Sequence, residues 1–516
     1  MTSALSIVMQ SPLALGDLVA EVTLQDGNKT LILLHDGQFA GTLPSPAAWI
    51  KLTGFDAAAA QHTSSGAAPT PATAASAAIE DLFEKGIAIP ADGRLSLLLT
   101  WGVHCHRSVK INSSEQHAPN EQCSATRGSR FGSFEHITCA EFIGKNDFGR
   151  TLRFGDIEAS FDKDMFLKVG KKKLTFGEIL ALAGDYYAHL DMQAFKEFSW
   201  AWPESSGLTS LIDHDYRLPT LIDDDAAVTT AILTAVDETK EGGSDALDAK
   251  LNLIKLGVST DYPVRRYLAL ASQNHCHFAA QPATGKVDDG TNEALRLYRA
   301  YHERALHQAE TAGATGNVEA FFQALVVDAF GCHFLSDLFA TGHMRVPRRV
   351  LTDRYGVVKG ALGMAHDMHC EDNNSGLWLT PRFASRPRIV WRGYGDDHLH
   401  RPESGYHFLL VRRAVARSAA EVFAHYCRAT LPVGQRAEDL VPMALPAGAT
   451  PQKGDVFPDG KPVTASNPNS FPLYWWLPEK KILARRVSAP SEGVYVNHDE
   501  SKSPQFHLPE DASVQK

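Results

Sequence analysis

The order of apolar and polar positions divides the chain into stretches of different period. Residues 17–43 carry short β-branched runs broken at Asp26-Gly27 and Asp36-Gly37, which is the pattern of hairpin strands. Residues 57–78 are Ala, Thr, Ser and Pro with little to pack, so a flexible link is expected there. Beyond it the spacing becomes helical. Thr175 and Glu178 form a capping box ahead of FGEILALAGDYYAHLDMQAF, whose apolar face holds Ile179, Leu180, Leu182 and Ala183. Pro263 opens a helical stretch that runs into Asn274-His275-Cys276-His277-Phe278, and further helices are expected over 292–312, 318–342 and 405–430. After Pro432 the composition turns rich in Pro and Gly, with short runs such as FPLYWWLP at 471–478, predicting a loop-rich or β region. The fold class predicted is mainly α. It comprises a β-rich N-terminal region with its linker over 1–95, a helical body over 96–431 and a loop/β C-terminal region over 432–516.

Composition narrows the function more than the fold. With 516 residues, 44% of them hydrophobic, the chain can bury a large core. A formal net charge of -10 argues against general binding of polyanions, so nucleic acid is not the expected partner, while 22 histidines offer many metal ligands. The seven cysteines have no regular spacing, which fits reduced thiols better than a disulfide framework or a Cys-x-x-Cys zinc module. No basic residue precedes Lys29 and no small-residue cleavage site follows an apolar run, so the chain lacks a standard secretory signal. It is expected in the cytoplasm or exported by a signal-independent route. No uninterrupted apolar stretch approaches ~18 residues, and no membrane span is expected. Oligomeric state has no signature in the sequence.

The candidate chemistry centres on DAFGCHFLSDLFATGHMRVPRR, residues 328–349. From Val318 onward this segment is apolar almost all round a helix and reads as buried, where an ionised Asp337 costs several kcal/mol unless a cation meets it. His333 and Asp337 are four residues apart, roughly 40° round a helix, so both side chains reach one ion from one face. His343 follows Gly342, which loosens the helix end. A lone His/Asp pair would equally suit a core histidine capped by a carboxylate, but other segments add donors. Glu135 and His136 stand at the head of an expected helix in FEHITCA, Asp185 stands between Gly184 and Tyr186, and His277 sits at a helix end. Residues 365–378, AHDMHCEDNNSGLW, pack His366, Asp367, His369, Glu371 and Asp372 into seven positions. His104 and His106, two apart, suit one face of a strand. This donor set exceeds the roughly four of a structural zinc site, so two to three ions are expected, an arrangement suited to hydrolysing a phosphodiester.

At this point the chain resembles a known superfamily, the zinc phospholipases C and P1-type nucleases. The likeness is greatest to the zinc metallophospholipase C family of bacteria that is shared with fungal heterokaryon-incompatibility proteins. It rests on LTFGEILALAGDYY (174–187), NHCHF (274–278), HFLSDLFATGHMRVPR (333–348), HCEDNNSGLW (369–378) and WRGYGD (391–396), and covers roughly residues 100–430. The resemblance implies a multi-helix catalytic domain of the zinc phospholipase C/P1 nuclease type. His277, His333 and Asp337 would hold one zinc, and Asp337 would bridge to a second held by His136. His343 and His369 would hold a third. Asp185 would orient or deprotonate the attacking water and count among the ligands, and Glu135 would replace the N-terminal Trp amine of secreted members. The superfamily's next pair is His, three residues, Glu; this chain offers His366 with Cys370, Asp367 with Glu371, or His369 with Asp372, and the family pattern favours the last. Arg345 and Tyr186 are the expected contacts to phosphate or head group, although Arg345 also belongs to a basic run that suits a solvated face. The activity implied is cleavage of the glycerol-side phosphodiester of a phospholipid, phosphatidylcholine or a relative, at a membrane surface, giving diacylglycerol and a phosphorylated head group. A P1-type zinc nuclease, or a non-catalytic membrane-acting or signalling protein with a structural zinc site, are the other readings. Phe471, Leu473, Tyr474, Trp475 and Trp476 suit either an interfacial anchor or a strand packed on the body.

Overall fold

The computed structural model of the chain describes residues 3–10, 18–34, 37–56, 75–78, 82, 85–100, 133–140, 143, 151–154, 157, 166–184, 186, 226–239, 275–279, 292–355, 362–382, 387–395, 398–400, 402–429, 436–458, 460–464, 467–477 and 482–498. These residues form a mixed α/β structure rather than the mainly α one expected, because both ends and the linker region contribute strands.

One sheet has the order β4 (Gln38–Leu43), β1 (Ser3–Gln10), β8 (Arg94–Thr100), β6 (Ala75–Ala78). A second runs β3 (Lys29–Leu34), β2 (Leu18–Leu24), β5 (Ala47–Asp56), β7 (Ile87–Ala88), with β9 (Thr151–Arg153) pairing β5. Asp26-Gly27 makes the expected hairpin turn between β2 and β3, with Gly27 at φ 83°. Gly37 also has a positive φ, 77°, but it does not join a hairpin: β3 stays in the second sheet while β4 pairs β1 in the first. The predicted link at 57–78 contains β6, which runs parallel to β8.

Nine helices follow among the described residues: α1 (Ser133–Ala140), α2 (Phe176–Leu182), α3 (Ala226–Thr239), α4 (Glu293–Thr315), α5 (Val318–Asp337), α6 (Thr341–Met344), α7 (Arg348–Tyr355), α8 (Leu362–Ser375) and α9 (Gly405–Tyr426). The capping box is present at α2, where Thr175 Oγ1 accepts the Glu178 N–H and Glu178 returns the bond. That helix ends sooner than its apolar pattern suggested, since Gly184 turns the chain at φ 68°. The stretch 318–342 likewise divides into α5 and the short α6.

Small sheets complete the fold. β10 (Leu167–Val169) pairs β11 (Lys172–Leu174); β12 (Leu377–Pro381) lies between β13 (Trp391–Gly393) and β14 (Pro442–Ala444); β15 (Tyr474–Leu477), β16 (Ile482–Arg486) and β17 (Tyr495–Asn497) form a third. Hydrogen-bonded strands therefore cross both expected boundaries, 95/96 through β5–β9 and 431/432 through β12–β14.

The core is organised around α5, which packs between α4 and α9. Phe321, Phe330 and Phe334 are buried on it, each stabilising the fold by ~1.5–3 kcal/mol through burial of its ring. By length and composition α5 could cross a membrane, yet 72% of its apolar window is buried inside the fold, as in a core helix. A smaller cluster of Phe278, Val346, Met364, Met368, Tyr474 and Leu483 seats the C-terminal sheet against α8. The five cysteines among the described residues, Cys139, Cys276, Cys332, Cys370 and Cys427, are free thiols.

Candidate metal centre

Five segments converge at the C-terminal end of α5. α1 brings His136, the short 3-10 turn His275–His277 brings His277, α5 brings His333 and Asp337, α6 brings His343 and α8 brings His369. All six side chains are buried. The Asp337 carboxylate stands in the middle. Its Oδ2 is 2.7 Å from His277 Nδ1 and 3.4 Å from His333 Nε2, and its Oδ1 is 3.5 Å from His343 Nδ1 and 3.8 Å from His136 Nε2.

His333 Nε2 and His277 Nδ1 are 3.2 Å apart. Together with the carboxylate oxygen they make a triangle of edges 3.2, 2.7 and 3.4 Å. Ligands at ~2.0 Å round a tetrahedral ion stand about 3.3 Å apart, so these three atoms already form a coordination face. The ligand atoms of His136, His333 and Asp337 also lie within 4.8 Å of one another, a buried group that can hold a metal ion.

Neighbouring groups set which nitrogen faces inward. His333 Nδ1 donates to the Leu180 carbonyl at 3.0 Å, which leaves the Nε2 lone pair toward Asp337. His136 Nδ1 lies 2.9 Å from Ser336 Oγ, whose own proton goes to the carbonyls of Cys332 and His333. The Nδ1 proton therefore sits on His136, and its Nε2 carries the lone pair, 3.8 Å from Asp337 Oδ1. His343 differs: neither ring nitrogen has a hydrogen-bond partner. Burial first, and then the fields of His369, His277, His136 and His333, push it well below the ordinary histidine range, so it stays neutral. Each buried, unsatisfied nitrogen costs about 1–3 kcal/mol, and a bound cation removes that cost at the nitrogen it ligates.

Two glycines let the segments approach. A Cβ on Gly184 would lie 2.3 Å from the His333 ring and 2.8 Å from His277; one on Gly342 would lie 2.4 Å from Asn373 Oδ1 and 2.8 Å from His369.

Other expected site residues have the following contacts. Arg345 and Asp372, read as substrate contact and metal ligand, are paired with each other. Arg345 Nε donates to Asp372 Oδ2 at 2.9 Å, Nη2 to Oδ1, and the remaining N–H groups go to Ser470 O at 2.6 Å and Ser470 Oγ at 2.9 Å. Both are buried, and this fork ties α8 to the C-terminal region. Glu371 is held by Arg486 at 2.7 and 2.6 Å, and His366 lies against Cys370 Sγ at 3.6 Å. Tyr186 is packed in the main core at 1% exposure and does not line a surface. Glu135 accepts the Leu399 N–H at 2.8 Å, fixing the 398–400 segment over α1. Asp185, His104 and His106 lie outside the described residues, as does the stretch from Pro263 to Asn274.

Asn373 was missed. Its Nδ2 is 3.2 and 3.3 Å from the two ring nitrogens of His369, and its Oδ1 accepts the Gly342 N–H at 2.7 Å. The signal was in the sequence: Asn373 is four residues from His369, the interval that joins His333 to Asp337. Comparison with protein-family models, with curated proteins and with solved structures gave no match.

Proposed function

We propose that this protein is a zinc-dependent phospholipase C with two to three ions, cleaving the glycerol-side phosphodiester of a phospholipid such as phosphatidylcholine. The observation that carries the reading is the buried set of four imidazoles round one carboxylate with a fifth, His369, beside His343, and both nitrogens of His343 lacking hydrogen bonds. A donor set of nitrogen and carboxylate oxygen suits zinc. His136, His277, His333 and Asp337 would form the inner positions, and His343 with His369 a further one. When bound, the ions would supply Lewis-acid stabilisation of the phosphoryl oxygens and an acidified water.

The chain's own residues do the rest. Asp337 provides negative charge and aligns His277 across 2.7 Å. Leu180 O and Ser336 hold His333 and His136 in the tautomers that present Nε2. Asp185, beyond the described residues, keeps the role of accepting the proton of the attacking water that the family resemblance gives it. The net charge of -10 favours a phospholipid over a polynucleotide.

The test combines elemental analysis of the purified protein with release of phosphorylated head group from mixed liposomes, before and after chelation and on adding zinc back. Two to three zinc ions per chain and chelator-reversible release support the reading. Active protein with one zinc or none would sink the multinuclear site, and cleavage of single-stranded DNA without head-group release would turn the assignment to a nuclease.

A further inference from the structure

The metal centre is electrically one-sided. Among the described residues His136, His277, His333 and His343 share a single carboxylate, Asp337, at 2.7 to 3.8 Å, and its nearest contacts are on the His277 and His333 side. His343 and His369 form the opposite side, with ring centroids 5.0 Å apart. Imidazoles bind metal as neutral ligands, so each cation placed there must find its counter-charge elsewhere.

The acids of α8 do not provide it. Asp372 is committed to Arg345 and Glu371 to Arg486, while Asp367 lies 3.7 Å from His366 with its side chain 40% exposed. The residue that does reach His369 is Asn373, which is uncharged. Its orientation is fixed, since Oδ1 takes the Gly342 N–H at 2.7 Å and a flipped amide would set two donors face to face. It is also locked by packing: a Cβ on Gly342 would come within 2.4 Å of Oδ1, and one on Gly395 within 1.5 Å. A carboxamide is thus held where a carboxylate oxygen would complete a cation site.

We infer that the cation position at His343 and His369 fills together with a phosphoryl anion, which brings the negative charge that the side chains of α6 and α8 do not. The inference rests on the metal-centre reading and adds a form of regulation to it. The inner positions hold metal at rest, whereas the last ion and the phosphate of the substrate bind synergistically, each tightening the other by the same factor.

The experiment uses the full-length chain, stripped of metal by chelation and titrated with Co2+ by absorbance, with and without inorganic phosphate. The expected result is phosphate-independent binding at the Asp337-centred ligands, plus one further equivalent whose affinity rises about tenfold or more with phosphate. His369→Ala should delete that further equivalent alone. Asn373→Asp, which keeps the acceptor for Gly342 and puts a charged oxygen beside His369, should bind the last equivalent without phosphate. Equal affinity for every equivalent with and without phosphate in the wild type would overturn the inference, as would a folded Asn373→Asp protein that still needs phosphate. If Asn373→Asp does not fold, the wild-type comparison decides by itself. No Co2+ binding under either condition would instead overturn the metal-centre reading.

Discussion

Asp337→Asn should have opposite consequences with and without metal. Asp337 is 1% exposed, and ionising a carboxylate there carries a desolvation penalty of several kcal/mol. In the chelated protein that penalty is met by the imidazoles around it, His277 Nδ1 at 2.7 Å and looser contacts at 3.4 to 3.8 Å. Removing the charge while keeping the shape should therefore leave the metal-free protein within about 1 kcal/mol of wild type, or more stable. With metal the sign reverses. A wild-type protein held at 100 to 1,000 times its metal Kd gains about 2.7 to 4.1 kcal/mol by mass action. If the variant's affinity falls by a factor of ~100, as loss of a direct charged ligand implies, about 2.3 to 2.7 kcal/mol of that gain disappears. The assay is urea unfolding of both proteins in chelator and in zinc, with metal content measured on the same samples; Asp185→Asn, as a control, should keep its metal and lose turnover. Full zinc and near-normal turnover in Asp337→Asn would refute the site assignment. An equal loss of stability in chelator and in zinc would make Asp337 a structural acid with no part in binding metal.

Asp372→Asn leaves the Arg345 guanidinium buried without its counter-charge and should cost about 3–5 kcal/mol in urea unfolding, most of it recovered in Arg345→Met/Asp372→Leu; a cost under about 1 kcal/mol would mean the fork is not what joins α8 to the C-terminal region. His302 lies between Asp328 and Glu421 at 2.7 and 3.2 Å; burial opposes its charge, but the two acids outweigh it and raise it to about 10. Because the folded value lies above the ordinary 6.5, its stabilisation is complete below about 6.5 and is lost as pH rises through about 10. Stability should fall across that window by up to ~1.4 kcal/mol per pH unit, and a His302→Gln variant should flatten the slope. Gly184→Ala forces a side chain into a left-handed backbone, costing roughly 1–2 kcal/mol, and pushes on the His333 ring; metal affinity at least tenfold weaker is expected, and unchanged titration curves would show the ring has room.

Much of this was legible because local chemistry decided it. The capping box at Thr175 and Glu178, the turn at Asp26-Gly27 and the helix around His333 and Asp337 each depend on residues a few positions apart, and each appears in the structure. What escaped depends on contacts distant in sequence. Nothing near Asp372 announces that Arg345 will claim it, nor that Ser470, 125 residues beyond Arg345, will share the guanidinium. Segment 471–478 was open between a membrane anchor and a packed strand. The structure buries Tyr474 in the cluster against α8 and sets Trp476 under the Arg354 guanidinium at 5.4 Å, so part of the run is committed to packing. The mainly α expectation failed for a related reason: the strands β6, β7 and β9 are short, and pairing across long separations gives them their identity.

A comparison within α5 bears on why one end of it could hold a metal ion. The helix carries two buried aspartates, Asp328 and Asp337, about two and a half turns apart on an otherwise apolar rod. Both face the same electrostatic problem. Asp328 meets it with an internal cation: His302 stays protonated between Asp328 and Glu421, and Ser418 and Cys332 donate to the remaining carboxylate positions. Asp337 has more histidines around it and less charge. His343 is held neutral by burial and by the other rings, and both of its nitrogens lack a hydrogen-bond partner. A site built only for stability would resemble the first solution, with one imidazolium and satisfied partners. Gathering further imidazoles from α1, α6, α8 and the 275–277 turn, with Leu180 and Ser336 turning ring lone pairs inward, raises the count of electron-pair donors and supplies no countercharge. A divalent cation would meet those lone pairs and the Asp337 carboxylate together, and this distinguishes the end of α5 that could hold a metal ion from the end that stabilises the bundle.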